Sequence, residues 1–172
     1  MLKLFYQRRS IRKFTDQPIE AEKLDRIVQA ALLAPSSKSK YPCEFILIDQ
    51  KEINEQLSMS KPHGASFLKN TPYSIVVAAD TEKSDVWIED SSIAASYIQL
   101  QAEKEGLGSC WIQIREREYS LDKSSESYIQ DVLKMPSNLK ILAIIAIGYK
   151  DGEKPAREAS YLKREKIHYN SF

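Results

Sequence analysis

Glycine is scarce in this chain of 172 residues, with 5 in all. That argues against a fold resting on several glycine-rich phosphate loops. Cysteine is scarcer, at 2, and neither Cys43 nor Cys110 belongs to a C-x-x-C pair. Zinc ribbons and dithiol redox motifs therefore lack their ligands. The 2 histidines, His63 and His168, stand far apart and outside any ligand spacing, so no metal site is expected. Neither sign of charge dominates: 25 Lys and Arg face 24 Asp and Glu, for a formal net charge of +1. This balance argues against nucleic acid or a membrane surface as the main partner. The longest apolar run, Ile141 to Ile147, falls far short of the ~20 residues that span a bilayer. The first residues turn basic after a short apolar stretch and do not resemble a signal peptide. With two unpaired cysteines, the expected compartment is reducing and cytoplasmic. No G-x-S-x-G nucleophile elbow is present.

What is present is the composition of a globular protein, 42% apolar and 28% charged. One domain over residues 1–172 is expected from the length. Leu24, Ile27, Val28, Ala31 and Leu32 fall at helical spacing, predicting a helix near 20–33 that Pro35 stops. Residues near 52–59 suit a short helix, and 86–105 the longest one, with Gly106 as its stop. Glu89 and Asp90 near its start suit the helix dipole. Ser124 and Ser125 are caps for a helix through Leu133, ended by Pro136. Strands are expected at Phe45–Ile48, Ser74–Ala79, Cys110–Ile112 and Ile141–Tyr149. Their runs lack period-two alternation, which implies a sheet covered on both faces in an α/β or α+β fold. The tail from Asp151 has too few apolar anchors to fold alone.

Three segments could carry chemistry. Arg8-Arg9-Ser10-Ile11-Arg12-Lys13 concentrates cations and a hydroxyl, and the planar forks of arginine match phosphate oxygens. A solvated basic face is the plainer reading of the same residues. Ala34-Pro35-Ser36-Ser37-Lys38-Ser39-Lys40-Tyr41-Pro42 joins a helix to a strand, is rich in hydroxyls and is stiffened by prolines. Gly106-Leu107-Gly108-Ser109-Cys110-Trp111-Ile112-Gln113 contains two glycines of a dinucleotide fingerprint, but Trp111 takes the third position and a strand follows instead of a helix, so a Rossmann site is rejected.

Taken in order along the chain, these segments resemble the nitroreductase family of FMN-dependent flavoproteins. The resemblance rests on Arg8-Arg9-Ser10-x-Arg12-x-Phe14, Ala34-Pro35-Ser36-Ser37 with Pro42, Trp87-Ile88-Glu89-Asp90-x-x-Ile93-Ala94, Gly106 to Ile112, and Ile147-Gly148-Tyr149 with a basic tail. It implies an α+β fold with a central mixed β-sheet flanked by helices. It also implies a homodimer with FMN at the subunit interface and the C-terminal tail reaching over the partner. By the same resemblance Arg8, Arg9 and Ser10 hold the FMN phosphate and ribityl chain, and Arg12 lies beside N1 and O2 of the flavin. Pro35, Ser36, Ser37 and Ser39 form a loop that packs on the isoalloxazine from the partner subunit. Trp111, Gln113 and Ile114 belong to the strand end where a backbone N–H faces N5, which makes Arg12 and Gln113 the candidates for a catalytic role. Lys154 and Arg157 complete the phosphate site. Many relatives have Asn-x-Gln-Pro-Trp where this chain has Ser39-Lys40-Tyr41-Pro42-Cys43, so a hydroxyl and a phenol replace two amides.

The activity implied is transfer of a hydride from NADH or NADPH through flavin N5 to a nitroaromatic, quinone or similar small electron acceptor, in a ping-pong cycle. Branches of the family that dehydrogenate, dehalogenate or cleave flavin are alternatives, as is a flavin-binding sensor or store with little turnover. A colourless α/β module whose basic segment meets an anionic partner is a third reading, from a different class.

Overall fold

The chain is described by a computed structural model covering all 172 residues. Four strands make its sheet: β1 (Cys43–Ile48), β2 (Tyr73–Asp80), β3 (Gly108–Gln113) and, near the end of the chain, β6 (Leu139–Gly148). They lie in the order β1-β2-β6-β3, and every pairing among them is antiparallel. The mixed character expected of the sheet comes down to a single parallel bridge, between Ser10 and Ser109 at its edge. A small hairpin of β4 (Glu118–Ser120) and β5 (Lys123–Ser124) stands apart.

The sheet is covered on both faces, as its unalternating apolar runs require. Five helices flank it: α1 (Leu2–Gln7), α2 (Ala21–Leu32), α3 (Lys51–Ser58), α4 (Trp87–Lys104) and α5 (Ser125–Leu133). Ile75 and Val77 of β2 face one core with Ile27 of α2 and Ala95, Ile98 and Ala102 of α4. Val76 and Ala78, their alternates, face a second core with Leu57 of α3 and Ile129 of α5. Each fully buried Ile or Leu contributes about 1.5–3 kcal/mol through removal from water. Ends are set locally. Ser124 Oγ accepts the Ser127 N–H at 3.0 Å and caps α5, and Gly106, at φ 80°, turns the chain out of α4.

The two ends of the chain meet at the outer edge of β3. Ile11 N–H donates to Ser109 O at 2.9 Å, so residues 10–11 extend the sheet beyond β3. Phe14 bridges Lys150 just past β6. Glycine is required here by space: a Cβ on Gly108 would sit 2.9 Å from Ile11 Cβ, and one on Gly148 would sit 2.8 Å from Phe14 Cδ1. From Asp151 the tail holds only short 3₁₀ turns at Ala159–Tyr161 and Arg164–Lys166, and residues 158–172 are exposed throughout. No helix is long and apolar enough to cross a membrane.

Candidate functional site

Residues 8–13 leave α1 as an extended segment, and the tail returns along it. Asp151 N–H donates to Lys13 O at 3.1 Å, and Arg157 N–H donates to Tyr6 O at 2.9 Å. Between these points Lys154 Nζ reaches Ser10 O at 3.2 Å, and Arg9 donates to Pro155 O. The fold thus brings together Arg8, Arg9, Ser10, Arg12, Lys154 and Arg157, which the sequence holds at opposite ends. None of the five cations enters an ion pair. Asp151 and Glu153 share the groove with Ser10, Arg12 and Lys154 but pair with none of them. Burial, together with the charge of Arg157, lowers the pKa of Arg8. Glu103, whose charge also reaches Arg8, is bonded to Lys150 Nζ at 2.7 Å. Like charges held this close call for an external counter-ion, and a donor set of guanidinium forks, an ammonium and a hydroxyl suits phosphate.

From the Ser10–Ser109 bridge at the cluster, β3 runs on to Gln113 at its C-terminal end. The Trp111 indole Nε1–H donates to Gln113 Oε1 at 3.0 Å, and Gln113 Nε2 donates to Arg115 O at 3.0 Å. The side-chain amide is therefore fixed from both ends. Ile114 departs from expectation: its side chain is completely buried, and its N–H donates to Leu142 O at 3.1 Å. It serves the core and the end of the sheet, with no N–H left to offer a ligand.

A lysine not anticipated from the sequence joins the group. Lys61, in the turn after α3, is half-buried, and its Nζ donates to Gln113 O at 3.0 Å. Burial, with the charge of Arg117, lowers its pKa. Burial likewise pushes the Cys110 thiol up, against the pull of Arg12, Lys154, Arg8 and Lys61. The charges of all four reach this buried thiol in β3.

The serine loop forms a second group. Ser36 Oγ donates to Asp90 Oδ2 at 2.7 Å, and Ser37 N–H donates to Asp90 Oδ1 at 3.0 Å. Ser36 Oγ in turn accepts the Tyr41 N–H at 2.9 Å. Within this ring Lys38, Ser39 and Tyr41 take positive φ of 52°, 53° and 44°. Such left-handed conformations cost non-glycine residues about 1–3 kcal/mol each. Asp90, expected to serve the helix dipole, is buried and turned onto the loop instead. Pro35, Ser36 and Ser37 line a shallow pocket with Val86, Glu89 and Ile93. Within one chain the arginine cluster and the serine loop line separate pockets.

A sequence profile described as the Nitroreductase family matches residues 5–61 and 55–149. The chain belongs to the nitroreductase family. Among solved structures it resembles an FMN-dependent nitroreductase from Clostridium difficile R20291, with 53% identity, full coverage of both chains and a TM-score of 0.98. A protein of Archaeoglobus fulgidus named "Putative NADH dehydrogenase/NAD(P)H nitroreductase" is 34% identical over 162 residues, 92% of this chain and 90% of its own length. An FMN reductase (NADPH) of Bacillus subtilis is 29% identical over 170 residues, covering 86% of this chain and 66% of that protein. The α+β architecture with its antiparallel sheet is that of the nitroreductase fold.

Proposed function

We propose that this chain is an FMN-dependent NAD(P)H oxidoreductase acting on a small acceptor such as a nitroaromatic or quinone. The observation that carries this reading is the set of unpaired cations around Ser10. Arg8, Arg9, Lys154 and Arg157 would hold the FMN phosphate, with Ser10 against the phosphate and ribityl chain. The names of its relatives support the same cofactor and reductant. When bound, FMN supplies hydride acceptance and release at N5, which suits a cycle in which reductant and acceptor use one site in turn. The protein's part is placement and electrostatics. Arg12 would set a cation beside the ring edge that becomes negative on reduction. Gln113, tied by Trp111, Arg115 and Lys61, would hold the end of β3 rigid against the ring.

The reading includes a homodimer. Pro35, Ser36, Ser37 and Ser39 stand apart from the arginine cluster in one protomer, and a second copy would bring the two groups onto one cofactor. Apolar side chains suited to that contact are exposed: Leu2 and Phe5 of α1, Ile93 and Tyr97 of α4, and Tyr169 and Phe172 of the tail. The test is the visible spectrum of the purified protein, its bleaching by NADH and NADPH without oxygen, and sedimentation velocity. A flavin spectrum that bleaches, on a two-chain species, is expected. Bound FMN without NAD(P)H consumption would leave a flavin store, and a colourless protomer that takes up no added FMN would end the proposal.

A further inference from the structure

Asp90 is 4% exposed, far more deeply placed than a carboxylate serving a helix dipole needs to be. Both of its oxygens accept hydrogen bonds, and both bonds come from the loop between α2 and β1. Neither Lys38 nor Lys40 forms an ion pair with it, so the hold consists of directed hydrogen bonds. Ser36 passes that hold on, because its hydroxyl donates to Asp90 and accepts from Tyr41 N–H. The loop has its own reasons to relax, since Lys38, Ser39 and Tyr41 have left-handed backbone conformations that side chains disfavour. Its residues include the phenol of Tyr41, which is 58% exposed although its backbone N–H is tied down.

We infer that Asp90 is a positioning residue that, acting through Ser36 and the Ser37 amide, locks residues 36–41 in the strained shape that presents Ser39 and Tyr41 to the co-substrate face of the flavin site. The inference rests on the flavin function proposed above and adds a residue to it. A carboxylate suits the role because it offers two acceptors to two donors. An asparagine keeps one acceptor for Ser37 N–H and turns either a second donor or no partner toward Ser36.

The test uses Asp90→Ala, Asp90→Asn, Ser36→Ala and the double alanine variant. Hydrogen–deuterium exchange on the flavin-free proteins reads the loop without any turnover. Exchange in residues 36–41 should accelerate at least about tenfold in Asp90→Ala and Ser36→Ala, with β2 and β6 unchanged. The double variant should match Asp90→Ala alone, the signature of two groups acting as one. Asp90→Asn should fall between wild type and Asp90→Ala. In the FMN-loaded enzyme, Asp90→Ala should raise KM for menadione about tenfold with kcat within about twofold, and should raise the FMN Kd by a smaller factor, about threefold, because the same loop packs on the ring. A general folding defect would instead speed exchange in β2 and β6. If Asp90→Ala does not fold, Asp90→Asn and Ser36→Ala carry the exchange comparison. Unchanged loop exchange, or additive effects in the double variant, overturns the positioning role. Wild-type protein that binds no FMN and oxidises no NADH overturns the functional reading, and the role toward the flavin site falls with it even where the exchange data match.

Discussion

Arginine 8 concentrates the electrostatics of the site in one side chain. It is half-buried, stands near another cation, Arg157, and has no carboxylate partner. An anion bound there relieves repulsion as well as forming hydrogen bonds. Arg8→Ala is expected to weaken FMN binding about tenfold to a hundredfold, since a charge-assisted hydrogen bond contributes ~1.5–3 kcal/mol. Fluorescence titration with FMN measures this, and an unchanged Kd refutes the assignment. Arg12 is different in kind. It is exposed and lies beside the phosphate group of residues, so its effect should fall on reduction more than on retention. Arg12→Ala should slow flavin reduction by NAD(P)H at least about tenfold, below the ~10²–10³ lost with a fully enclosed donor. Stopped-flow reduction of the FMN-loaded variant decides it, and a wild-type rate would remove the role. The importance of these residue types was legible in the sequence as a dense basic segment. Their lack of carboxylate partners was not, because ion pairing depends on which distant side chains approach.

Among the elements, the edge of β3 shows how a glycine can be needed for space alone. Gly108 has Ile11 against it, with three side-chain carbons 2.9 Å from where a Cβ would lie. Gly108→Ala should therefore push the 8–13 segment off the sheet, at a cost of about 1–3 kcal/mol by overpacking, and weaken FMN binding with it. Chemical denaturation and the same FMN titration would show both effects together, whereas a loss in one alone would mean the two are not coupled. A second tie joins the start of α2 to the end of β6. Tyr149 Oη donates to Glu20 Oε2 at 2.6 Å, and Lys23 Nζ lies 3.2 Å from the same oxygen. The Tyr149 hydroxyl, then a backbone N–H and Lys23, hold the Glu20 carboxyl at about 2, down from its ordinary 4.5. A carboxyl with a lowered folded pKa stabilises the fold above its unfolded value, and that contribution is lost as pH falls from about 4.5 toward 2. Glu20→Gln should flatten the acid limb of the stability curve in that window and leave the slope near neutrality alone. Thermal melts between pH 2 and 7 test this, and an unchanged acid limb counts against it.

At the scale of the whole molecule, the site residues fall into two groups that one protomer keeps apart, and the tail beyond Arg157 finds no cover within its own chain. Both facts fit the proposed second copy. Deleting residues 158–172 removes several exposed apolar anchors, including Tyr169 and Phe172. Loss of even one anchor contributing ~2 kcal/mol should weaken the proposed dimer about thirtyfold. Sedimentation at graded concentrations would show dissociation and FMN loss in parallel, while an intact dimer would show that the tail is dispensable. What the sequence by itself determined is what neighbours a few residues apart decide. The helical stripe around Ile27, the Ser124 cap, the stop at Gly106 and the apolar runs of β2 and β6 all appear where the pattern places them. Only the tertiary structure decided which distant groups share a site. Lys154 meets Ser10 across 144 positions, Asp90 meets Ser36 across 54, and Lys61 meets Gln113 across 52. The reason is physical: periodicity and capping are local backbone preferences, whereas these contacts exist only once burial of both sheet faces has settled the strand order and carried the chain ends to the same edge.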